Sequence, residues 1–146
     1  RLATVTHPQG AVESRSYDAT GRVEQVTSRQ HGAVVTQYLY SYDNNGNRLT
    51  QDETNGGAPE RTTYAYDNAD RRKTATLPNG VVQTYTYDKA SQLTGITYKL
   101  GTATLGAVTY AYDASGNRIK SSGTWSRWMS SVPRMALDVE NAGGSR

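Results

Sequence analysis

Along most of this chain, aromatic or β-branched residues alternate with small polar ones at a spacing of two. Tyr38, Tyr40 and Tyr42 keep that spacing, as do Tyr64 and Tyr66, Tyr85 and Tyr87, and Tyr110 and Tyr112. Extended backbone sends successive side chains to opposite sides, so rings two apart share one face of a strand. Runs such as Thr84-Tyr85-Thr86-Tyr87 combine residue types that suit a pleated surface, and they predict strand. No segment holds an apolar period of 3.6 residues between caps, so the pattern predicts no helix of ordinary length.

The pair Tyr-Asp recurs at Tyr17-Asp18, Tyr42-Asp43, Tyr66-Asp67, Tyr87-Asp88 and Tyr112-Asp113, with successive pairs 25, 24, 21 and 25 residues apart. A recurrence in the twenties marks a repeat array, whose units bury their apolar faces only against neighbours. After three of the pairs come Asp18-Ala19-Thr20-Gly21, Asp43-Asn44-Asn45-Gly46 and Asp113-Ala114-Ser115-Gly116. The Asp accepts hydrogen bonds from the turn it opens, and Gly21, Gly46 and Gly116 supply the positive φ that closes it. The third and fourth units carry Asp70 and Ser91 at that place. Strand-like segments follow, such as Arg22-Val23-Glu24-Gln25-Val26, so each unit reads as a hairpin. Second turns lie between hairpins at His7-Pro8-Gln9-Gly10 and Leu77-Pro78-Asn79-Gly80. The expected fold is all-β: consecutive antiparallel hairpins in one continuous sheet, with five repeats over residues 1–120 and a diverged or disordered tail over 121–146.

Composition sharpens this picture. Phe is absent and Tyr numbers eleven, while hydrophobic residues make up 35% of 146 residues and mean hydropathy is −0.74. The implied core is thin and wide, with ring bodies packing on adjacent turns and hydroxyls finding partners. Disordered segments are poor in the aromatic and β-branched residues this chain is rich in, which argues for an ordered sheet. The net charge of +3 is spread out, Arg71-Arg72-Lys73 being the only basic triplet. With no basic stripe and no reader motif, nucleic acid is not an expected partner. Cysteine is absent, which excludes disulfides and thiolate metal sites. No stretch is long and apolar enough to predict a membrane span or a signal peptide.

The motifs Tyr-Asp-x-x-Gly-Arg-Val at 17–23, Tyr-Asp-x-x-Gly-Asn-Arg-Leu at 42–49 and Tyr-Asp-x-x-Gly-Asn-Arg-Ile at 112–119 resemble the YD repeats of the Rhs (rearrangement hotspot) family, to which teneurin repeats are related. The resemblance covers about residues 1–120. It implies a sheet that spirals into a hollow shell, of which this chain is a slice. It further implies a secreted or cell-surface parent protein whose shell encloses a C-terminal toxin, with the neighbouring repeats, that toxin and glycans as partners. The family's Asp-Pro-x-Gly self-cleavage motif has no counterpart, because the chain contains no Asp-Pro dipeptide.

Catalytic chemistry finds little support. His7 and His31 each sit in a turn, where a solvated polar role is the ordinary one. There is no nucleophile elbow and no phosphate loop. The repeated aspartates would sit in like environments, whereas acid–base work on glycosides needs two unlike ones. Asp43-Asn44-Asn45-Gly46-Asn47 lacks the downstream bidentate Glu of a calcium loop. The expectation is therefore a non-enzymatic scaffold without cofactor or metal. The alternative is a carbohydrate-binding module using Tyr and Trp faces, with Trp125 and Trp128 as candidate glycan contacts.

Overall fold

The computed structural model describes residues 2–126. Eleven strands follow one another: β1 (Leu2–Thr6), β2 (Ala11–Tyr17), β3 (Val23–Gln30), β4 (Ala33–Tyr42), β5 (Arg48–Thr54), β6 (Glu60–Tyr66), β7 (Arg72–Thr76), β8 (Val81–Tyr87), β9 (Leu93–Leu100), β10 (Ala103–Tyr112) and β11 (Arg118–Trp125). They form a single sheet in sequence order, each strand antiparallel to the next. Consecutive hairpins are thus the whole architecture of the described residues, as the alternating pattern predicts. The boundary drawn at 120/121 from the repeat pattern falls inside β11.

The turns follow from backbone chemistry. At the Tyr-Asp turns the fourth residue takes positive φ, at Gly21 (86°), Gly46 (91°) and Gly116 (85°). Asp70 and Ser91 occupy the same left-handed region at 58° and 63°, a conformation that strains a residue with a side chain and leaves glycine unstrained. Between β3 and β4 only His31 and Gly32 intervene, both at positive φ (51° and 84°). This is the geometry of a two-residue hairpin whose twist matches its strands.

Every Tyr-Asp hairpin also carries a β-bulge in the same place. Ser16 faces Gln25 while Tyr17 faces Val23, which leaves Glu24 as the extra residue. Leu49, Lys73, Thr94 and Ile119 are the corresponding extra residues in the later hairpins. A bulge bends its strand and increases the local twist, and this one recurs in all five Tyr-Asp hairpins. Nothing in the sequence marks these positions, since a bulge is a property of pairing rather than of composition.

The two faces differ in chemistry. Directly opposed residues share a face, and the register aligns Tyr64, Ala75, Gln83, Tyr98, Gly106 and Trp125 in one row across six strands. A parallel row joins Tyr85, Ile96 and Val108. On the opposite face lie Thr74, Thr84 and Thr97. The core sits on the aromatic face toward the C-terminal end: Val81, Ile96, Tyr98, Leu105 and Val108 are buried, with Leu77, Tyr85, Leu93 and Tyr110 packed against them. Trp125 lies over Gly106, meeting the ring of Tyr98 with centroids 5.2 Å apart. A glycine flanked by two large rings lets one of them fold across the bare backbone, which restores cross-strand burial.

Candidate functional site: the Tyr-Asp clasp

The Tyr-Asp turns form the most regular constellation in the molecule. Each aspartate caps its own turn. Asp18 Oδ1 accepts from the backbone N–H groups of Thr20 and Arg22, both at 2.9 Å. Asp43 does the same for Asn45 and Asn47, Asp67 for Ala69 and Arg71, Asp88 for Ala90 and Gln92, and Asp113 for Ser115 and Asn117. In four turns the second carboxylate oxygen is also used. Arg22 Nε donates to it at 2.7 Å and Arg71 Nε at 2.8 Å, while the side-chain amides of Asn47 and Asn117 donate at 3.1 and 3.0 Å. The interleaving of short acceptor and long donor four residues later is what makes the local sequence fold this way.

The tyrosine of each pair, from the second repeat onward, reaches back to the preceding repeat. Tyr42 donates its hydroxyl to the Val23 carbonyl at 2.6 Å. Tyr66 donates to Arg48, Tyr87 to Arg72 and Tyr112 to Leu93, each at 2.8 Å. The acceptor is always the fifth residue after the preceding aspartate. Guanidinium groups then fill the spaces between rings: Arg22 sits 4.8 Å from the Tyr42 centroid, Arg71 4.6 Å from Tyr87, Arg72 4.7 Å from Tyr64 and Arg118 5.2 Å from Tyr110. Stacking of this kind is attractive in itself and shields ring area from water. The pair is therefore a clasp, with the aspartate shaping one hairpin and the tyrosine tying it to the one before.

Adjacent turns are also linked directly. Arg22 Nη1 donates to the Asp43 carbonyl at 2.7 Å. Asp70 Oδ1 accepts from the side chains of both Asn45 and Asn47, at 2.9 and 2.7 Å. Arg71 Nη1 donates to Ser91 Oγ at 3.0 Å. The two residues that replace glycine thus offset part of their backbone strain by accepting hydrogen bonds from the preceding turn. In the sequence they stand only as departures from the motif, because a partner twenty-odd residues away is invisible to a local pattern.

Asp18, Asp43, Asp67 and Asp113 titrate below the ordinary aspartate range. Asp18 is held well below the ordinary aspartate value of 3.8, first by the Arg22 backbone N–H and, against a smaller desolvation cost, by the Arg22 and Thr20 side chains. At Asp43 desolvation pushes upward, but the bonds from Asn47 and Asn45 overcome it and leave the value lowered. The Arg71 side chain lowers Asp67, and the Asn117 side chain lowers Asp113. A depressed folded-state value contributes stability that is complete above the unfolded value and lost as pH falls through the folded one. The expected result is a melting temperature that these groups leave flat above pH 3.8 and that drops below it. Circular dichroism melts across that range check this, and a melting temperature that rises on acidification would overturn the capping role.

The candidate glycan contacts are placed as follows. Trp125 ends β11 and lays part of its ring on Tyr98 and Gly106, keeping 38% of its surface exposed. Trp128 lies outside the described residues. One face of each of Tyr40, Tyr42, Tyr64, Tyr87 and Tyr110 is covered by an arginine. His7 and His31 stand in separate turns. Among the described residues, no cluster of carboxylates and histidines suits a metal ion, and no helix is long and apolar enough to cross a membrane. What the arrangement does chemically is join one hairpin to the next.

Comparison with known proteins agrees with this geometry. A family model described as RHS Repeat matches residues 73–103. A curated relative, double-stranded DNA deaminase toxin A of Burkholderia cenocepacia (strain H111), is 27% identical over 111 residues, which covers 63% of this chain and 7% of the relative. Among solved structures, a chain of the TcdB2-TccC3-Cdc42 crystal structure superposes with a TM-score of 0.65 at 22% identity, covering 78% of this chain and 6% of that one. The Photorhabdus luminescens Tc holotoxin pore gives a TM-score of 0.63 at 22% identity, over 78% of this chain and 5% of that one. This chain therefore spans less than a tenth of the length of each of these proteins.

Proposed function

We propose that this chain, a stretch of Rhs/YD repeats, is a segment of shell wall in a longer protein, a non-enzymatic scaffold that helps to enclose a C-terminal toxin. In this reading the five repeats over residues 1–120, together with the rest of β11 to Trp125, are the wall. The observation that carries the reading is the recurrence of one complete joint. Each repeat after the first brings the same aspartate cap, the same bulge and the same tyrosine bond to its predecessor. Identical joints propagate a constant bend, and a constantly bent sheet grows into a curved wall as repeats are added. Relatives of the toxin type fit a cargo behind the wall, delivered from a secreted or cell-surface parent.

The test uses the parent protein, expressed from the full reading frame. Further Tyr-Asp units are expected on at least one side of this segment, followed by an unrelated C-terminal domain. That domain is expected to resist limited proteolysis until denaturant opens the sheet. A C-terminal domain digested as fast in the parent as when free would sink the enclosure reading.

A further inference from the structure

Three Asn-Gly pairs occur in this chain, at Asn45-Gly46, Asn55-Gly56 and Asn79-Gly80, and the fold treats them very differently. Asn-Gly is the dipeptide most open to attack of a backbone nitrogen on the preceding side-chain amide, because glycine puts no side chain in the way. The attack requires a free glycine N–H and an asparagine side chain able to swing over it. At Asn45, the side-chain nitrogen donates to Asp70, and the Gly46 N–H donates to the Asp43 carbonyl at 3.2 Å. At Asn79, Oδ1 accepts from the Val81 N–H, and the Gly80 N–H donates to the Leu77 carbonyl at 2.9 Å. Asn55 lies exposed in the loop between β5 and β6, and neither its side chain nor the Gly56 N–H has a hydrogen-bond partner among the described residues.

We propose that Asn55 is a site of spontaneous deamidation that places a new charge on the seam between the second and third repeats. In the first step the Gly56 backbone nitrogen, having given up its proton to solvent, bonds to the Asn55 side-chain carbonyl carbon. The carbon–nitrogen bond of the amide breaks and ammonia leaves, which closes a succinimide ring. Water then adds at either ring carbonyl and that carbonyl's bond to the ring nitrogen breaks, the nitrogen taking up a proton, which gives an aspartyl or isoaspartyl residue. No oxidant or reductant takes part. The new carboxylate enters a loop whose two ends already carry Glu53 directly opposite Glu60, next to Asp52. Like charges facing one another across a sheet oppose pairing, and the β5–β6 ladder here consists of four register pairs, from Thr50–Thr63 to Glu53–Glu60. Arg61 pairs with Asp52 at 2.6 Å and so offsets one of these charges; Glu53 accepts from the Tyr38 hydroxyl and Glu60 has no cationic partner among the described residues. Age would therefore charge one joint of the sheet and leave its neighbours intact.

The test is peptide mapping by mass spectrometry after incubating the full chain at mildly alkaline pH, with parallel samples in concentrated urea. In the folded chain, conversion at Asn55 is expected to outpace Asn45 and Asn79 on the order of tenfold, the rate ratio that follows from freeing the one or two hydrogen bonds those sites must break. In urea the three rates are expected to converge. Asn55→Gln is expected to abolish the acidic species that otherwise appears on ion exchange. Equal rates at the three sites in the folded chain, or an Asn55 preference that survives urea unchanged, would overturn the proposal.

Discussion

Replacing Tyr87 by alanine is expected to cost about 3–5 kcal/mol of folding stability, the range for large-to-small changes at packed aromatic positions. The lower end applies, because the ring is only half-buried. Three interactions leave together. The hydroxyl bond to the Arg72 carbonyl, at 2.8 Å, disappears and strands an acceptor. The Arg71 guanidinium, 4.6 Å above the ring, loses its stacking surface. The tie between the third and fourth repeats is then carried by backbone pairing, by the exposed Arg71–Ser91 bond and by Arg72 against the Tyr85 ring. Tyr87→Phe separates these effects, since it removes the hydroxyl and keeps the ring. Its expected cost is about 1 kcal/mol, the net worth of one hydrogen bond. Urea unfolding of the two variants checks both figures, and an unchanged midpoint for Tyr87→Ala would show that the clasp contributes nothing.

Gly106→Ala is the second large effect, expected to destabilise by about 1–3 kcal/mol through overpacking. A Cβ at this position collides with Trp125, meeting Cζ3 at 2.8 Å as well as the Thr124 carbonyl at 2.9 Å. The φ of Gly106 is not in the left-handed region, so the cost is steric, from the ring first and the Thr124 carbonyl second, and not from backbone strain at the glycine. A double variant isolates it. With Trp125 replaced by alanine, the collision with the ring is gone and only the Thr124 carbonyl contact at 2.9 Å stays, so Gly106→Ala is expected to cost clearly less than it does beside the ring, helped by the roughly 0.5–1 kcal/mol of backbone freedom that alanine saves over glycine. Thermal melts of the four proteins in this cycle decide the matter. A penalty for Gly106→Ala of the same size with and without Trp125 would refute the packing of that ring across the glycine.

These two sites differ in how they can be read. Tyr87 stands out in the chain because the Tyr-Asp pair recurs and because the ring keeps a two-residue spacing with Tyr85. Gly106 belongs to no motif. Its role depends on Trp125 and Tyr98 arriving on either side of it, in register, from β11 and β9. The aspartate caps belong with Tyr87, since donor and acceptor are four residues apart or fewer. The guanidinium ladder belongs with Gly106: Arg22 reaches Tyr42, and Arg48 reaches Tyr64, only after the sheet has formed.

The sequence by itself determined the strands, the order of the hairpins, the left-handed closing residues and the aspartate caps. All of these rest on interactions within a few residues, where alternation and turn chemistry leave little choice of backbone. Tertiary structure alone decided the bulge at Glu24 and its four counterparts, the carbonyl that each tyrosine reaches, and the partners of Asp70 and Ser91. It also decided which of three Asn-Gly pairs stays unguarded, and where the buried cluster around Ile96 and Tyr98 gathers. Those depend on register, and register is a relation between strands: one residue of slip would turn every side chain to the other face without changing a letter of the repeat.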